Sequence, residues 1–173
     1  MFASKRMALV QELLDLSGIG RDRMALRWVS AAEGQIFANT VAEITQTTKD
    51  LGPFDHDKYK LQLAAVENVL TAQRLRWLVG MERQITDKAN VYNEKMDEEA
   101  YRAMVKQAAL EEYQKAMIME VLKEGPLSVR EMASKAGLPV YTVSTRLNDL
   151  ERRGQAELRG YDGNTPKFIR LAA

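Results

Sequence analysis

Alternating large apolar residues predict a β-strand near the start of the chain. Met24, Leu26 and Trp28 recur at every second position, and successive side chains of a strand point to opposite faces. The alternation ends at Ser30, whose distance from Glu33 along the chain is that of a capping box. The apolar positions that follow are spaced as on one face of a helix; they are Phe37, Val41, Ile44, Thr48 and Leu51. The pattern therefore predicts a strand that leads directly into a capped helix.

A further helix is predicted before this strand, over residues 4–16, and Gly18 is expected to end it. Residues 1–54 thus form a helix–strand–helix unit of the α/β type. Because a single strand cannot form a sheet, we expect this unit to be incomplete and to need other polypeptide for its sheet. Two alternatives stay open: the strand pairs with the C-terminal hairpin, or these residues do not form a strand.

The middle of the chain, residues 55–112, reads as a pair of long helices. Asp55 is a suitable N-cap for a helix over about residues 57–83. A second helix is predicted over residues 97–124, because its first turn is acidic and suits a helix N-terminus. The polar stretch between them predicts a loop, so the two helices should be antiparallel. Such a pair could act as a spacer or as a docking arm.

Residues 113–173 have the element order of a winged helix-turn-helix, which they resemble. Ser128 and Glu131 have capping-box spacing and open a short helix that ends at a turn containing Gly137 and Pro139. A second helix follows, and then two short strands over residues 156–161 and 167–171 joined by a turn. The predicted fold class is therefore mainly α with a small α/β part: an incomplete α/β unit, a helical pair and a C-terminal winged helix.

Composition excludes several kinds of site. The chain has 173 residues, a net charge of +1 and no cysteine, which rules out disulfides, thiolate chemistry and Cys-ligated clusters. No apolar run approaches the roughly 20 residues that a membrane helix needs, so we expect a cytoplasmic protein without a membrane partner. Residues 113–173 hold ten Lys and Arg against seven Asp and Glu, a mild basic surplus.

One stretch of the first unit carries a family resemblance. Residues 27–34, reading RWVSAAEG, and the following Phe37 resemble the closing strand–helix unit of the methyl-viologen-reducing hydrogenase delta subunit family. The resemblance covers residues 1–54 and, more loosely, residues 75–94. Members of that family are iron–sulfur subunits that link a hydrogenase or formate dehydrogenase to a heterodisulfide reductase in anaerobic metabolism.

The resemblance implies an accessory or C-terminal portion of such a subunit, itself non-catalytic, that acts by docking to the other subunits of the complex. It implies a [2Fe–2S] cluster, but the family's cysteine ligands are absent here. They would lie upstream of Met1, either on a separate chain or before a start placed downstream of a recoded selenocysteine codon. The expected partner interface consists of Trp28, Ser30, Glu33 and Gly34.

The alternative function is that of a winged-helix DNA-binding transcriptional regulator. In that fold the helix after the turn enters the major groove, and the wing lies near phosphates. The residues expected to contact nucleic acid are Tyr141, Thr142, Ser144, Thr145, Arg146, Asn148, Arg152, Arg159 and Lys167. Protein docking is favoured because each phosphate contact needs a cation and the basic surplus is small.

Catalysis has little support in the sequence. His56 is the single histidine and lies between Asp55 and Asp57. That arrangement could bind a metal ion, but a solvated loop that starts a helix is the favoured interpretation. Apart from His56 the sequence offers no histidine for a Ser–His–Asp or Cys–His set, and it has no cysteine. No catalytic, cofactor-binding or metal-binding residue is therefore assigned, and we expect no cofactor within this chain.

Overall fold

The computed structural model describes residues 2–30 and 32–171, which form two compact units, Met1–Lys60 and Leu61–Ala173. Within the described residues, the first unit contains α1 (Phe2–Leu16), a 3-10 turn (Arg21–Arg23) and α2 (Gly34–Leu51). Helix α3 (Lys60–Thr71) begins at the unit boundary. The remaining elements are α4 (Gln73–Thr86), α5 (Glu98–Val121), a 3-10 turn (Leu122–Glu124), α6 (Val129–Ala136), α7 (Val140–Arg152), β1 (Ala156–Asp162) and β2 (Thr165–Arg170). The expectation of a mainly α protein with a small α/β part is confirmed.

The strand predicted by the alternation over residues 24–29 does not form. The chain makes a 3-10 turn at Arg21–Arg23 and then runs without β pairing through residues 24–30. Among the described residues the sheet consists of β1 and β2 alone, so the alternative pairing with the C-terminal hairpin is also wrong. The apolar alternation is a feature of the sequence, but a strand needs a second strand for its backbone hydrogen bonds, and among the described residues none pairs with residues 24–30.

The capping box predicted at Ser30 is only half formed. The Glu33 carboxylate accepts a hydrogen bond from the Ser30 N–H at 3.1 Å, whereas the Ser30 hydroxyl accepts from the Ala32 N–H at 3.4 Å. Helix α2 begins at Gly34, with Glu33 as its N-cap residue. The predicted contacts therefore stabilise a turn immediately before the helix.

The helix predicted over residues 57–83 is interrupted at Ala72, which has an extended conformation (φ −59°, ψ 128°). Helix α3 buries Val66 and Val69, whereas α4 buries Leu75 and Leu78. At about 100° per residue, one continuous helix would point these two pairs to nearly opposite sides. The interruption at Ala72 lets both pairs be buried.

Helix α5 is the central element of the second unit. Its predicted start is confirmed, because the Asp97 carboxylate accepts hydrogen bonds from the Glu99 and Ala100 N–H groups at 2.7 and 3.2 Å. The helix contacts α4, α6 and α7. The Tyr101 hydroxyl donates to the Leu78 carbonyl of α4 at 2.9 Å. As a result, ten of the 24 residues of α5 are buried.

The C-terminal elements pack on the second half of α5. The capping box of α6 is confirmed, because the Ser128 hydroxyl accepts from the Glu131 N–H (3.3 Å) and the Glu131 carboxylate accepts from the Ser128 N–H (2.7 Å). Strands β1 and β2 are antiparallel, and a bridge between Leu127 and Phe168 joins the hairpin to the segment before α6. The fully buried side chains here include Ile118, Met132, Val143 and Leu150.

Replacing Ser128 with alanine should lower the free energy of unfolding by about 1 kcal/mol, because one helix N-terminal N–H loses its acceptor. Denaturant titration followed by circular dichroism measures this change. Ser134→Ala is the matched control, since Ser134 is exposed within the same helix. An equal loss in both variants would show that the cap does not stabilise α6.

Candidate functional site

Helix α2 presents an apolar surface that the first unit does not cover. Phe37, Val41 and Ile44 lie on one face of the helix and are 60%, 45% and 36% exposed. None of the 18 residues of α2 is buried. The sequence pattern placed these three residues on one face of a helix, and the structure leaves them exposed. We call these three residues the α2 apolar surface.

The C-terminal half of α2 is anchored to the irregular segment that precedes it. The Arg23 guanidinium donates to the carbonyls of Leu51 and Gly52 at 3.0 and 3.3 Å, and it also lies over the Phe54 ring, 5.2 Å from its centroid. Arg27 forms an ion pair with Glu43 of α2 at 3.3 Å. Cations near a helix C-terminus are favourable, so Arg23 fixes this end of α2 in place.

The four residues predicted as a partner interface lie at the other end of α2. Trp28 is 69% exposed, and its indole N–H donates to the Ser4 hydroxyl of α1 at 3.3 Å. Ser30 and Glu33 form the turn before the helix, and Gly34 is its first residue. All four lie in the first unit, and Ser30, Glu33 and Gly34 are exposed. No contact with a partner tests their role, so that role stays a prediction.

In the second unit, helix α7 exposes the side predicted to face nucleic acid. Tyr141 is 82% exposed, and Ser144, Thr145 and Asn148 are exposed as well; we call these four residues the α7 surface. Thr142 is half-buried. Arg152, at the end of the helix, and Arg159, on β1, are exposed.

Two of the predicted cations are instead bound to acidic or amide groups of the protein. Arg146 donates to the side-chain oxygen of Gln114 at 2.9 Å and lies 3.7 Å from Glu111 and 3.5 Å from Asp149. Lys167 lies 2.7 and 2.8 Å from the two carboxylate oxygens of Glu131. A nucleic acid would have to compete with these partners for both side chains.

The Lys167 ammonium and the Ser128 hydroxyl and N–H hydrogen-bond the Glu131 carboxylate. They lower the pKa of Glu131 from 4.5 to about 2. The ion pair thus persists in mild acid, and it holds β2 against the start of α6.

The iron–sulfur cluster implied by the resemblance does not fit the residues present. Such clusters need thiolate or imidazole ligands, and the chain offers no cysteine and one histidine. His56 is exposed beside Phe54. Across residues 2–30 and 32–171, no group of three or more His, Cys, Asp or Glu side chains is placed to hold a metal ion. Nor is any helix in these ranges both long and apolar enough to cross a membrane.

Comparison with known proteins identifies relatives of the first unit. Residues 1–52 match the family model described as methyl-viologen-reducing hydrogenase, delta subunit. The resemblance read from the sequence is thereby confirmed for these residues. No solved structure matches the chain.

Three curated relatives illustrate the match. The iron-sulfur subunit of the F420-non-reducing hydrogenase of Archaeoglobus profundus is 38% identical over 56 residues, 32% of this chain and 41% of that protein. The iron-sulfur subunit of the F420-non-reducing hydrogenase vhu of Methanocaldococcus jannaschii is 41% identical over 51 residues, 30% of this chain and 38% of that protein. One subunit of the ferredoxin/F(420)H(2)-dependent CoB-CoM heterodisulfide reductase of Methanosarcina acetivorans is 34% identical over 68 residues, 39% of this chain and 9% of that protein. The chain therefore spans less than half the length of each.

Glu131→Gln should flatten the acid dependence of stability. Because the folded-state pKa of Glu131 lies below its ordinary value, its contribution is fully present above pH 4.5 and is lost as the pH falls from 4.5 towards about 2. Denaturation at a series of pH values should show that, between pH 4.5 and about 2, the free energy of unfolding falls less in the variant than in the parent protein. Glu157→Gln on β1, an exposed residue outside this cluster, should keep the parent slope; an unchanged slope in Glu131→Gln would contradict the assignment.

Proposed function

We propose that this chain is an accessory portion of an iron–sulfur electron-transfer subunit, and that its first unit docks onto the other part of a hydrogenase delta-type domain. The ligands of the cluster would lie on polypeptide outside these 173 residues. The assembled subunit would link a hydrogenase or formate dehydrogenase to a heterodisulfide-reductase-like complex. In this assignment the chain shapes and docks the domain and carries no electron itself.

The observation that carries this proposal is the α2 apolar surface. Burial of apolar area contributes about 25 cal/mol per Å², and soluble monomers rarely leave large contiguous apolar patches exposed. A phenylalanine, a valine and an isoleucine on one helix face, 60%, 45% and 36% exposed, therefore indicate a surface that another polypeptide covers.

The match to delta subunits supports the identity of that polypeptide. Residues 1–52 match the family model, and the match to the Archaeoglobus profundus iron-sulfur protein covers 41% of that protein. The rest of such a domain contains backbone that could pair with residues 24–30, which have no β partner among the described residues. One polypeptide would then cover the α2 apolar surface and also supply the strand with which residues 24–30 would pair.

The surroundings of the surface resemble a docking interface. Trp28, which is 69% exposed, belongs to the residue type most enriched at binding hot spots. The Arg27–Glu43 ion pair (3.3 Å) is exposed, and Glu43 lies on α2, between Val41 and Ile44 in the sequence. Interfaces commonly combine an apolar centre with such a polar rim.

For the second unit we propose a winged helix-turn-helix that serves as a docking module. The order α5, bridge, α6, α7 and hairpin supports this fold. The exposed α7 surface also favours the alternative function, DNA binding by a transcriptional regulator. Arg146 and Lys167 are hydrogen-bonded to other side chains of the protein. This weakens that alternative, because phosphate contacts need available cations.

Val41→Glu should abolish capture of the partner, because it places a charge at the centre of the α2 apolar surface. The measurement is a tagged pull-down from anaerobic extract, with assays for iron and flavin and mass spectrometry of the captured chains. We expect the parent protein to retain a cysteine-bearing delta-type polypeptide and the variant to lose it. Ala42→Glu, an adjacent exposed site off this face, should retain it.

A colourless homo-oligomer in the parent pull-down would overturn the docking proposal. Operator DNA would then be the next ligand to test, by selection from genomic fragments followed by titration at several salt concentrations. DNA binding through phosphates would show a steep salt dependence and would be weakened by Arg152→Gln and Arg159→Gln.

A further inference from the structure

The second unit contains a cleft of about 1080 Å³ that the proposed function does not use. Its walls come from the end of α3, the start of α4, the C-terminal half of α5, the end of α7 and the end of the hairpin. Five cationic side chains and two carboxylates line it. The cations are Arg74, Lys115, Lys123, Arg153 and Arg170.

Both carboxylates of the cleft are already neutralised. Glu112 binds Lys115 at 2.5 Å and lies 3.6 Å from Arg74. Glu120 binds Lys123 at 2.6 Å and accepts from the Asn68 amide, also at 2.6 Å. The acidic groups therefore do not offset the remaining positive charge of the cleft.

Arg74 is paired with Glu111 at 2.6 Å, so the remaining charge belongs to Arg153 and Arg170. Among the described residues neither guanidinium has a carboxylate partner. Arg153 follows α7 directly and Arg170 ends β2. The Leu171 N–H donates to the Gln155 carbonyl at 2.8 Å, which joins the segment that follows Arg153 to the residue that follows Arg170, and both arginines line the cleft. Two arginines next to a concave surface are suited to phosphate, whose oxygens accept paired hydrogen bonds from a guanidinium.

An aromatic wall completes the cleft. Trp77 of α4 lines it and is 57% exposed, whereas Leu75 and Leu78 on the same helix are buried. A tryptophan is too large and too apolar to be left open without cost, and its ring is a platform on which a planar heterocycle can stack.

We infer that this cleft binds a nucleotide, with the base stacked on Trp77 and the phosphates held by Arg153 and Arg170. Ligand pockets commonly measure about 300–1,000 Å³, so a cleft of about 1080 Å³ has room for a base, a sugar and phosphates. The same chemistry could come from a free nucleotide or from a nucleotide within a single strand; we assign the cleft to a free nucleotide.

Fluorescence of Trp77 tests this inference directly. The chain has two tryptophans, and Trp28→Phe leaves Trp77 as the reporter in the complete chain. Titration with magnesium-free ADP should quench its emission saturably. Adenosine, which lacks phosphate, should bind much more weakly, and inorganic phosphate should compete with ADP.

Arg170→Gln and Arg153→Gln in this background should each weaken ADP binding roughly tenfold or more, since each removes a charge-assisted hydrogen bond. Arg76→Gln is the matched control, because Arg76 is exposed on the same helix as Trp77 and does not line the cleft. Circular dichroism verifies that each variant folds. If only one of the two arginine variants folds, that variant is sufficient for the test.

Three results would overturn the inference. The first is the absence of saturable quenching at millimolar ADP. The second is an equal loss of affinity in the Arg76 control and in the folded arginine variants. The third is binding of a single-stranded oligonucleotide without binding of ADP, which would reassign the cleft to nucleic acid.

Discussion

The second unit depends on one carboxylate, Glu111 of α5, which lies between the guanidinium groups of two other helices. Arg74 of α4 donates to it at 2.6 Å, and Arg146 of α7 lies 3.7 Å away. Partial burial of Glu111 acts to raise its pKa, but the hydrogen bonds from Arg74 and Gln107 and the charge of Arg146 outweigh that effect and lower it. Losing one member of such a cluster leaves a charge that is poorly solvated and unpaired. Glu111 thus links both α4 and α7 to α5.

The first unit has no comparable centre. Among its described residues, the buried ones are Leu13, Ser17 and Ile19, which lie on α1 and the turn that follows it. Helix α2 is fixed at its C-terminal end by Arg23, and its apolar face remains open. A helix gains most of its stability in proteins from packing of an amphipathic face. The two units therefore differ: the second has its own core, whereas the first leaves the apolar face of a helix exposed.

The charges of the second unit illustrate how tertiary contacts decide which residues are available for function. Arg146 and Lys167 have the residue type and the sequence position expected of phosphate contacts, yet each is held by a partner within the protein. Arg153 and Arg170 remain without a carboxylate partner among the described residues and line a cleft beside Trp77. Whether a cation is available to bind an anion thus depends on its ion pairs within the folded protein, and the pattern of residues along the chain does not predict those pairs.

The sequence by itself determined those features that depend on a few adjacent residues. The capping box of Ser128 and Glu131, the Asp97 cap of α5 and the hairpin at the C-terminus all formed where the pattern predicted. The cap hydrogen bonds close within one turn, and a short turn joins the two strands of the hairpin. Only the tertiary structure decided the break at Ala72, the unpaired course of residues 24–30 and the exposure of the α2 apolar surface. Each of these depends on whether a distant segment is present to bury a side chain or to pair with a backbone. Periodicity shows which face of an element is apolar, whereas the packing partner decides whether that face becomes a core or a binding surface.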